Sequence, residues 1–110
     1  MEISWSDFEK IDIRIGTIVT AQVFEKARRP AYILEIDFGD LGVLKSSAQI
    51  TDLYNTDELV GKQVVAVVNF PKKQIANIMS ECLVLGGVGG KDGVVLLQPE
   101  QQVSNGTKIA

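Results

Sequence analysis

The sequence predicts an all-β domain, a small barrel with short helical elements, from three observations. Apolar and polar side chains alternate over residues 11–23, a stretch of about a dozen residues that exceeds the usual strand of about five or six. Residues 64–68 form an unbroken apolar run of β-forming residues, typical of a strand buried on both faces. A short helical pattern over residues 56–59 lies between these stretches and interrupts the strands.

The first predicted strand, residues 11–23, contains Gly16 at its centre, where we expect a bulge or a sharp coil. Such a bend allows one long strand to serve two sheets. Apolar side chains recur at every second position over residues 32–38, which predicts the second strand. Glycines at residues 39–42 predict a turn, and residues 43–47 predict a third strand.

The remaining predicted elements occupy the ends of the chain and its second half. A cap at Ser4 or Ser6 predicts a short N-terminal helix. Residues 83–85 are the expected partner of the strand at residues 64–68, and residues 94–97 predict a further strand. The tight-turn pair Asn105-Gly106 predicts a last hairpin at the C-terminus.

This order of elements is typical of the OB-fold. That fold is a five-stranded, partly open Greek-key barrel that binds oligonucleotides on one face. A long coiled first strand and a helical insert between the third and fourth strands match it. We therefore predict an OB-fold with short helical elements and terminal extensions.

Length, charge and cysteine content restrict the class of protein. A chain of 110 residues is expected to form one domain, residues 1–110. The net charge of −3 argues against a dedicated nucleic-acid binder, although a local basic patch is compatible with it. One cysteine, no signal-peptide pattern and no apolar stretch of about 20 residues indicate a cytoplasmic protein without a membrane span.

Catalytic chemistry is not indicated. The chain has no histidine, the commonest general base and metal ligand. Cys82 is expected to be a buried small hydrophobe. The glycines at residues 86–90 precede Lys91-Asp92 and lack the Ser or Thr of a phosphate loop. We expect no enzyme, no metal site and no cofactor.

The most informative local feature is a reversal of charge. Residues 61–80 contain three lysines and no carboxylate, in a chain that is acidic as a whole. Pro71 cannot continue a central strand, so we expect Lys72 and Lys73 to project from a bend, clear of the interior. Together with Arg14, Arg28, Arg29 and Lys45 they are candidates for contacting phosphates or an acidic polypeptide.

Each of these candidates has a simpler alternative. Lysines in loops often serve only solubility, and from charge alone that alternative is favoured. Beside the lysines lie Phe70, Ile75, Ile78 and Met79, and at least two of these four residues are expected to pack in the core. If some are exposed, apolar surface ringed by positive charge would suit unfolded polypeptide.

Four motifs bring the chain close to a known family. They are DIRIGTI at residues 12–18, LKSSAQIT at 44–51, LVGKQVVAVVNFPKKQIANIMSE at 59–81 and VVLLQP at 94–99. In order and spacing they resemble the tRNA-binding-domain family. Its members include appendages of aminoacyl-tRNA synthetases, free-standing RNA-binding dimers and export-related molecular chaperones that bind unfolded or preprotein segments. The resemblance implies an OB-fold assembled as a homodimer.

The resemblance also implies positions for the site. Residues in the motifs of the ligand-facing side are Arg14, Lys45, Ser46, Asn69, Lys72, Lys73 and Ser80. Residues chosen by their chemistry for a peptide pocket are Phe38, Phe70, Ile75, Ile78 and Met79. Residues expected at the dimer contact are Trp5, Phe8, Val103 and Ile109.

This sequence departs in two ways from the tRNA-binding members of the family, and both departures favour the chaperone function over tRNA binding. Those members commonly have Ser-Glu-Gly-Met where this chain has Ser80-Glu81-Cys82-Leu83. Many members are also more basic, and affinity for RNA comes largely from neutralising phosphates. The leading hypothesis is therefore a dimeric chaperone for unfolded or preprotein polypeptides, with export-pathway components as further partners. The alternative is a protein that recognises tRNA structure through the basic face of the barrel.

Overall fold

The computed structural model describes residues 1–110 and shows a mostly β structure. Its strands in chain order are β1 (Ile13–Val23), β2 (Tyr32–Asp37), β3 (Val43–Ala48), β4 (Gln63–Val67), β5 (Lys73–Ile75), β6 (Ile78–Ser80), β7 (Leu83–Val84), β8 (Gly86–Gly87) and β9 (Val95–Leu96). Five of them form one antiparallel sheet in the order β3-β2-β1-β4-β7. This sheet curls into a nearly closed barrel, which confirms the predicted OB-fold.

The long first strand serves two neighbours, as predicted. Residues 13–17 of β1 pair with β4, and residues 17–23 pair with β2. The expected position of the bulge is wrong, because the register shifts between Ile18 and Thr20, whereas Gly16 pairs regularly with Val64. Gly16 instead permits close packing, since a Cβ atom there would lie 2.7 Å from a ring carbon of Phe38.

The core lies inside the barrel and follows the alternation of β2. Leu34, Ile36 and Phe38 are fully buried, together with Ile18 of β1 and Val64 of β4. This position contradicts the prediction that Phe38 lines a peptide pocket. Its ring fills the space that Gly16 leaves open, so it contributes to stability and is shielded from any ligand.

The basic bend at residues 68–80 forms a separate hairpin. β4 ends at Val67, and the chain passes Pro71 before β5 and β6 pair with each other. Ala76, with a φ of 49°, lies in the left-handed region at the turn of this hairpin. The chain then returns to the barrel as β7, which pairs with β4 as the sequence predicts.

Both helices are short and capped by side chains. Helix α1 (Trp5–Glu9) starts at Ser4, whose hydroxyl accepts the backbone N–H of Asp7 while the Asp7 carboxylate accepts the N–H of Ser4. The backbone N–H of Ser4 is the main cause of the lowered pKa of Asp7. Helix α2 (Thr56–Leu59) is capped by Asn55 in the same way. Neither helix is long and apolar enough to cross a membrane.

The C-terminal segment joins the barrel instead of forming its own hairpin, which corrects the prediction. Asn105 and Gly106 do form a turn. The residues that follow lie along β1, where the Ile15 N–H donates to the Thr107 carbonyl at 2.9 Å and the Ile109 N–H donates to the Ile13 carbonyl at 2.9 Å. The available edge of β1 therefore outcompetes a local pairing. The glycines of β8 pair with β9.

The contact between Gly16 and Phe38 generates a stability prediction. Gly16→Ala places a Cβ within 2.8 Å of the Asp37 carbonyl and 2.7 Å of the Phe38 ring, so the core has to shift. We expect a loss of about 1–3 kcal/mol in the free energy of unfolding, measured by urea denaturation.

Gly87→Ala is the matched control for this prediction. At Gly87 the nearest atom to an added Cβ is 3.9 Å away, and its φ is not in the left-handed region. We expect little change there. Equal stability of the two variants would contradict the role assigned to Gly16.

Candidate functional site

A set of hydrogen bonds attaches the end of the hairpin to the outer edge of β3. The Glu81 N–H donates to the Lys45 carbonyl at 2.8 Å, and the Lys45 N–H donates to the Glu81 carboxylate at 3.0 Å. One residue of the β3 edge is thus held by both the backbone and the side chain of Glu81. We call residues 80–82 with their β3 partners the hairpin anchor.

Two further bonds complete the hairpin anchor. The Ser46 hydroxyl donates to the Cys82 carbonyl at 3.0 Å, and the Ser47 N–H donates to the Ser80 hydroxyl at 3.2 Å. Ser46 is 1% exposed. The prediction that Ser46 faces a ligand is therefore corrected, because its hydroxyl is buried and already bonded within the barrel.

The two lysines of the bend differ in their electrostatic surroundings. The Lys72 ammonium lies 3.2 Å from the Glu81 carboxylate. This ion pair neutralises one of the two lysines, because Glu81 follows directly after the carboxylate-free residues 61–80. Lys73 has no carboxylate within 4.0 Å. The pKa of Glu81 is lowered, chiefly by the backbone N–H of Lys45 and further by Lys72.

The anchored hairpin borders a depression of about 550 Å³, which we call the hairpin groove. Its apolar lining includes Phe70, Pro71, Ile75 and Leu83. Phe70 is 55% exposed and Leu83 is 48% exposed, so both present apolar area to a ligand. Lys72, Lys73 and Glu81 form its polar rim.

A second depression of about 520 Å³ adjoins the hairpin groove, and we call it the basic groove. Arg28, Arg29 and Lys73 line it, with Gln49 and Gln74 between them. It contains no carboxylate, and none of its three cations forms an ion pair. Positive charge is therefore concentrated here in a chain whose net charge is −3.

A third depression of about 350 Å³, the apolar groove, lies between the ends of β3 and β7. It is lined mainly by aliphatic side chains such as Ile50, Leu85 and Val88. All three grooves share Ser47 in their lining. They therefore form one continuous surface along the seam where β3 and β7, the two ends of the sheet, come together.

Other predicted site residues lie apart from these grooves. The Arg14 guanidinium pairs with the Asp12 carboxylate at 2.6 Å and donates to the Gly106 carbonyl at 3.1 Å. The bond to Asp12 raises the pKa of Arg14. The Asn69 amide accepts the Asp12 N–H and donates to the Lys10 carbonyl. These bonds hold the chain ends, and a ligand role for Arg14 and Asn69 stays a prediction.

Of the remaining predicted residues, some line the hairpin groove and others lie outside all three grooves. Phe70, Ile75, Lys72, Lys73 and Ser80 come together in the hairpin groove. Ile78 and Met79 of β6 lie outside the three grooves, so their part in a peptide pocket stays a prediction. The Lys45 side chain is exposed while its backbone serves the hairpin anchor.

Cys82 lines the hairpin groove as a buried side chain. Its thiol is buried, as the sequence predicts, and burial raises its pKa to about 12. The thiol contacts the Lys45 carbonyl at 3.7 Å. A protonated thiol of this kind contributes packing and no reactivity.

Sequence reasoning missed Ser47, Gln49 and Leu83. The alternation of β3 offered a signal for the first two, because Ser46 and Ala48 point inward and residues 47 and 49 therefore lie outside. Leu83 offered none, since a leucine in a strand is expected in the core.

The predicted dimer residues lie on another part of the molecule. Trp5 is 81% exposed and lines a shallow depression of about 410 Å³ with Ile3, Phe8 and Ala110. Val103 is held by Gln63, whose side-chain amide bonds both its N–H and its carbonyl. Ile109 lies beside β1. A dimer contact through these residues stays a prediction.

Comparison with known proteins identifies the family. The profile of the family described as "Putative tRNA binding domain" matches residues 13–108. The chain belongs to this family. The match extends from the start of β1 to the C-terminal segment that lies beside β1. It therefore includes the whole barrel and the three grooves.

Two solved structures resemble the chain over their whole length. They are the chaperone CsaA from Bacillus anthracis, with 55% identity and a TM-score of 0.94 over 100% of both chains, and the CsaA chaperone protein from Picrophilus torridus, with 55% identity and a TM-score of 0.93 over 99% of this chain and 100% of that one. Among curated sequences, the methionine–tRNA ligase of Methanococcoides burtonii is 36% identical over 107 residues. That match covers 97% of this chain and 16% of the ligase, so the chain spans about a sixth of that relative.

The hairpin anchor generates a pH-dependent prediction. Because the folded pKa of Glu81 is depressed, its stabilisation is present above the usual carboxylate pKa of 4.5 and is lost as pH falls through the folded pKa. Glu81→Gln keeps an acceptor for the Lys45 N–H but loses the charge. We expect a loss of about 1–2 kcal/mol in the free energy of unfolding at pH 7, measured by urea denaturation.

The same comparison at pH 3 provides the control. Between pH 7 and pH 3 the Glu81 carboxylate takes up protons more readily in the unfolded chain than in the folded one, because the folded pKa is lowered, so the difference between the wild type and Glu81→Gln should shrink. A difference that is equally large at both pH values would contradict the electrostatic role of Glu81.

Proposed function

We propose that this protein is a non-enzymatic chaperone of the CsaA type, which binds unfolded or preprotein polypeptide segments in the hairpin groove. The observation that carries the proposal is the exposure of Phe70 and Leu83 beside Ile75 in a depression of about 550 Å³. Exposed apolar side chains grouped in a concave surface typically mark a binding site. The likeness to two proteins described as CsaA chaperones supports the same conclusion.

The chemistry of the groove suits segments of varied sequence. Aliphatic and aromatic side chains provide contact that depends on apolar area and little on a specific side chain. The Lys72–Glu81 ion pair neutralises part of the rim and leaves Lys73 as its one unpaired charge. An apolar segment of an unfolded chain would therefore enter the groove without desolvating Lys72 as a lone cation.

A second candidate function is binding of tRNA. It is supported by membership of the family and by the unpaired cations Arg28, Arg29 and Lys73 in the basic groove. These side chains are available for phosphates. The anionic chain as a whole opposes polyanion binding, which ranks this candidate second.

We further propose a homodimer that works in the cytoplasm with export-pathway components. Trp5 and Phe8 support the dimer, since an exposed tryptophan in an apolar depression is a typical interface residue. No nucleotide or cofactor is required by a groove that binds through apolar contact.

If polypeptide binds in the hairpin groove, Phe70→Ser should weaken that binding. Removing the ring takes away the largest exposed apolar side chain of the groove, and we expect about a tenfold weaker affinity for a chemically denatured, fluorescently labelled protein. Affinity is measured by fluorescence anisotropy. Leu41→Ser, which alters an exposed leucine outside the grooves, is the control and should bind as the wild type does.

Measuring tRNA in parallel separates the two candidate functions. The proposal expects polypeptide binding that tolerates salt. Binding of tRNA at low salt without any binding of denatured protein would overturn the chaperone function and favour the second candidate.

The exposed Trp5 generates a prediction about the proposed homodimer. Trp5→Ser with Phe8→Ser should convert a dimer to a monomer in sedimentation velocity, because the apolar area of the contact is lost. Val43→Ser, an exposed β3 position away from that depression, is the control. A wild type that sediments as a monomer at all concentrations would contradict the proposed dimer.

A further inference from the structure

Two surfaces of different character border the hairpin. In the hairpin groove, Lys72 is paired with Glu81, so the apolar lining is accompanied by one unpaired cation, Lys73. In the basic groove, Arg28, Arg29 and the same Lys73 form the lining without a carboxylate. The first surface is mainly apolar and the second is cationic.

The two surfaces are nevertheless adjacent. Ser47, Lys73 and Ile75 line both grooves, so the boundary between them is the width of a side chain. An extended polypeptide advances about 3.3 Å per residue. A segment with an apolar side chain in the hairpin groove therefore reaches the basic groove within about two to four residues.

We propose that the site selects extended polypeptide segments in which an apolar residue lies within a few residues of a pair of acidic residues. The apolar side chain occupies the hairpin groove, and the carboxylates face Arg28, Arg29 and Lys73. This inference rests on the proposed function and specifies the class of polypeptide that it binds.

Carboxylates fit the basic groove better than a nucleic-acid strand does. Proteins that bind single-stranded nucleic acid usually combine a long cationic track with aromatic side chains that stack on bases. The basic groove provides three cations, and its lining contains no aromatic residue. Two or three charges match a short acidic cluster, and the forked guanidinium groups of Arg28 and Arg29 suit carboxylates.

The test uses synthetic peptides and the full chain. The Asp-Asp peptide is a twelve-residue Gly/Ser peptide with one Leu-Phe pair followed three residues later by Asp-Asp. Two comparison peptides carry either Asn-Asn at the same place or Asp-Asp moved to the far end. We expect the Asp-Asp peptide to bind about tenfold more tightly than the Asn-Asn peptide at low salt, and the advantage to shrink at about 1 M salt.

A pair of charge-reversed variants locates the acidic contact. Arg28→Glu with Arg29→Glu should remove the advantage of the Asp-Asp peptide and leave the affinity for the Asn-Asn peptide unchanged. Lys91→Glu with Lys108→Glu has the same change in charge at exposed positions outside the three grooves, and it should keep the advantage.

The outcomes distinguish this inference from the proposed function. Equal affinity for the Asp-Asp and Asn-Asn peptides would overturn the acidic selection and leave the chaperone function standing. No binding of any peptide or of denatured protein would overturn both. Displacement of the Asp-Asp peptide by oligouridylate, with tighter binding of the oligonucleotide, would assign the basic groove to RNA and overturn the inference.

Discussion

The hydrogen bonds between the outer edge of β3 and residues 80–82 determine the geometry of the whole candidate site. β3 and β7 are the two ends of the sheet and share no ladder of hydrogen bonds. Closure of the barrel at this seam depends instead on Glu81, which bonds Lys45 through both its backbone and its carboxylate. The same bonds fix the position of the hairpin, since β6 ends at Ser80. Stability and the shape of the grooves therefore depend on one set of contacts.

This arrangement explains how an acidic protein presents a cationic surface without a large basic excess. The carboxylate of Glu81 is used within the hairpin anchor and neutralises Lys72, so apolar side chains dominate the hairpin groove. The arginines precede β2 in a separate loop, away from any carboxylate partner. Two chemically different grooves thus meet at Ser47 and Lys73.

Much of the fold followed from local patterns, because alternation and turn residues act over short distances. Strands β1 to β4, β7 and β9, the shared role of β1 and the pairing of β4 with β7 were predictable in this way, whereas β5, β6 and β8 were not. The site was harder to predict, because it depends on contacts between distant residues. Phe38 looked like a ligand-binding aromatic, but Gly16, distant in sequence, makes room for its ring in the core. Lys72 looked free, although Glu81, nine positions later, lies beside it across the hairpin.

We propose that polypeptide binds along the seam beside the hairpin. Amide chemical-shift mapping tests it most directly, by titrating the isotope-labelled protein with a denatured, non-aggregating polypeptide. We expect shifts that concentrate at Ser47, Ile75 and Leu83, with Arg28 and Arg29 affected when the polypeptide is acidic. Shifts confined to the surface around Trp5, or to the side of the barrel away from the seam, would contradict it.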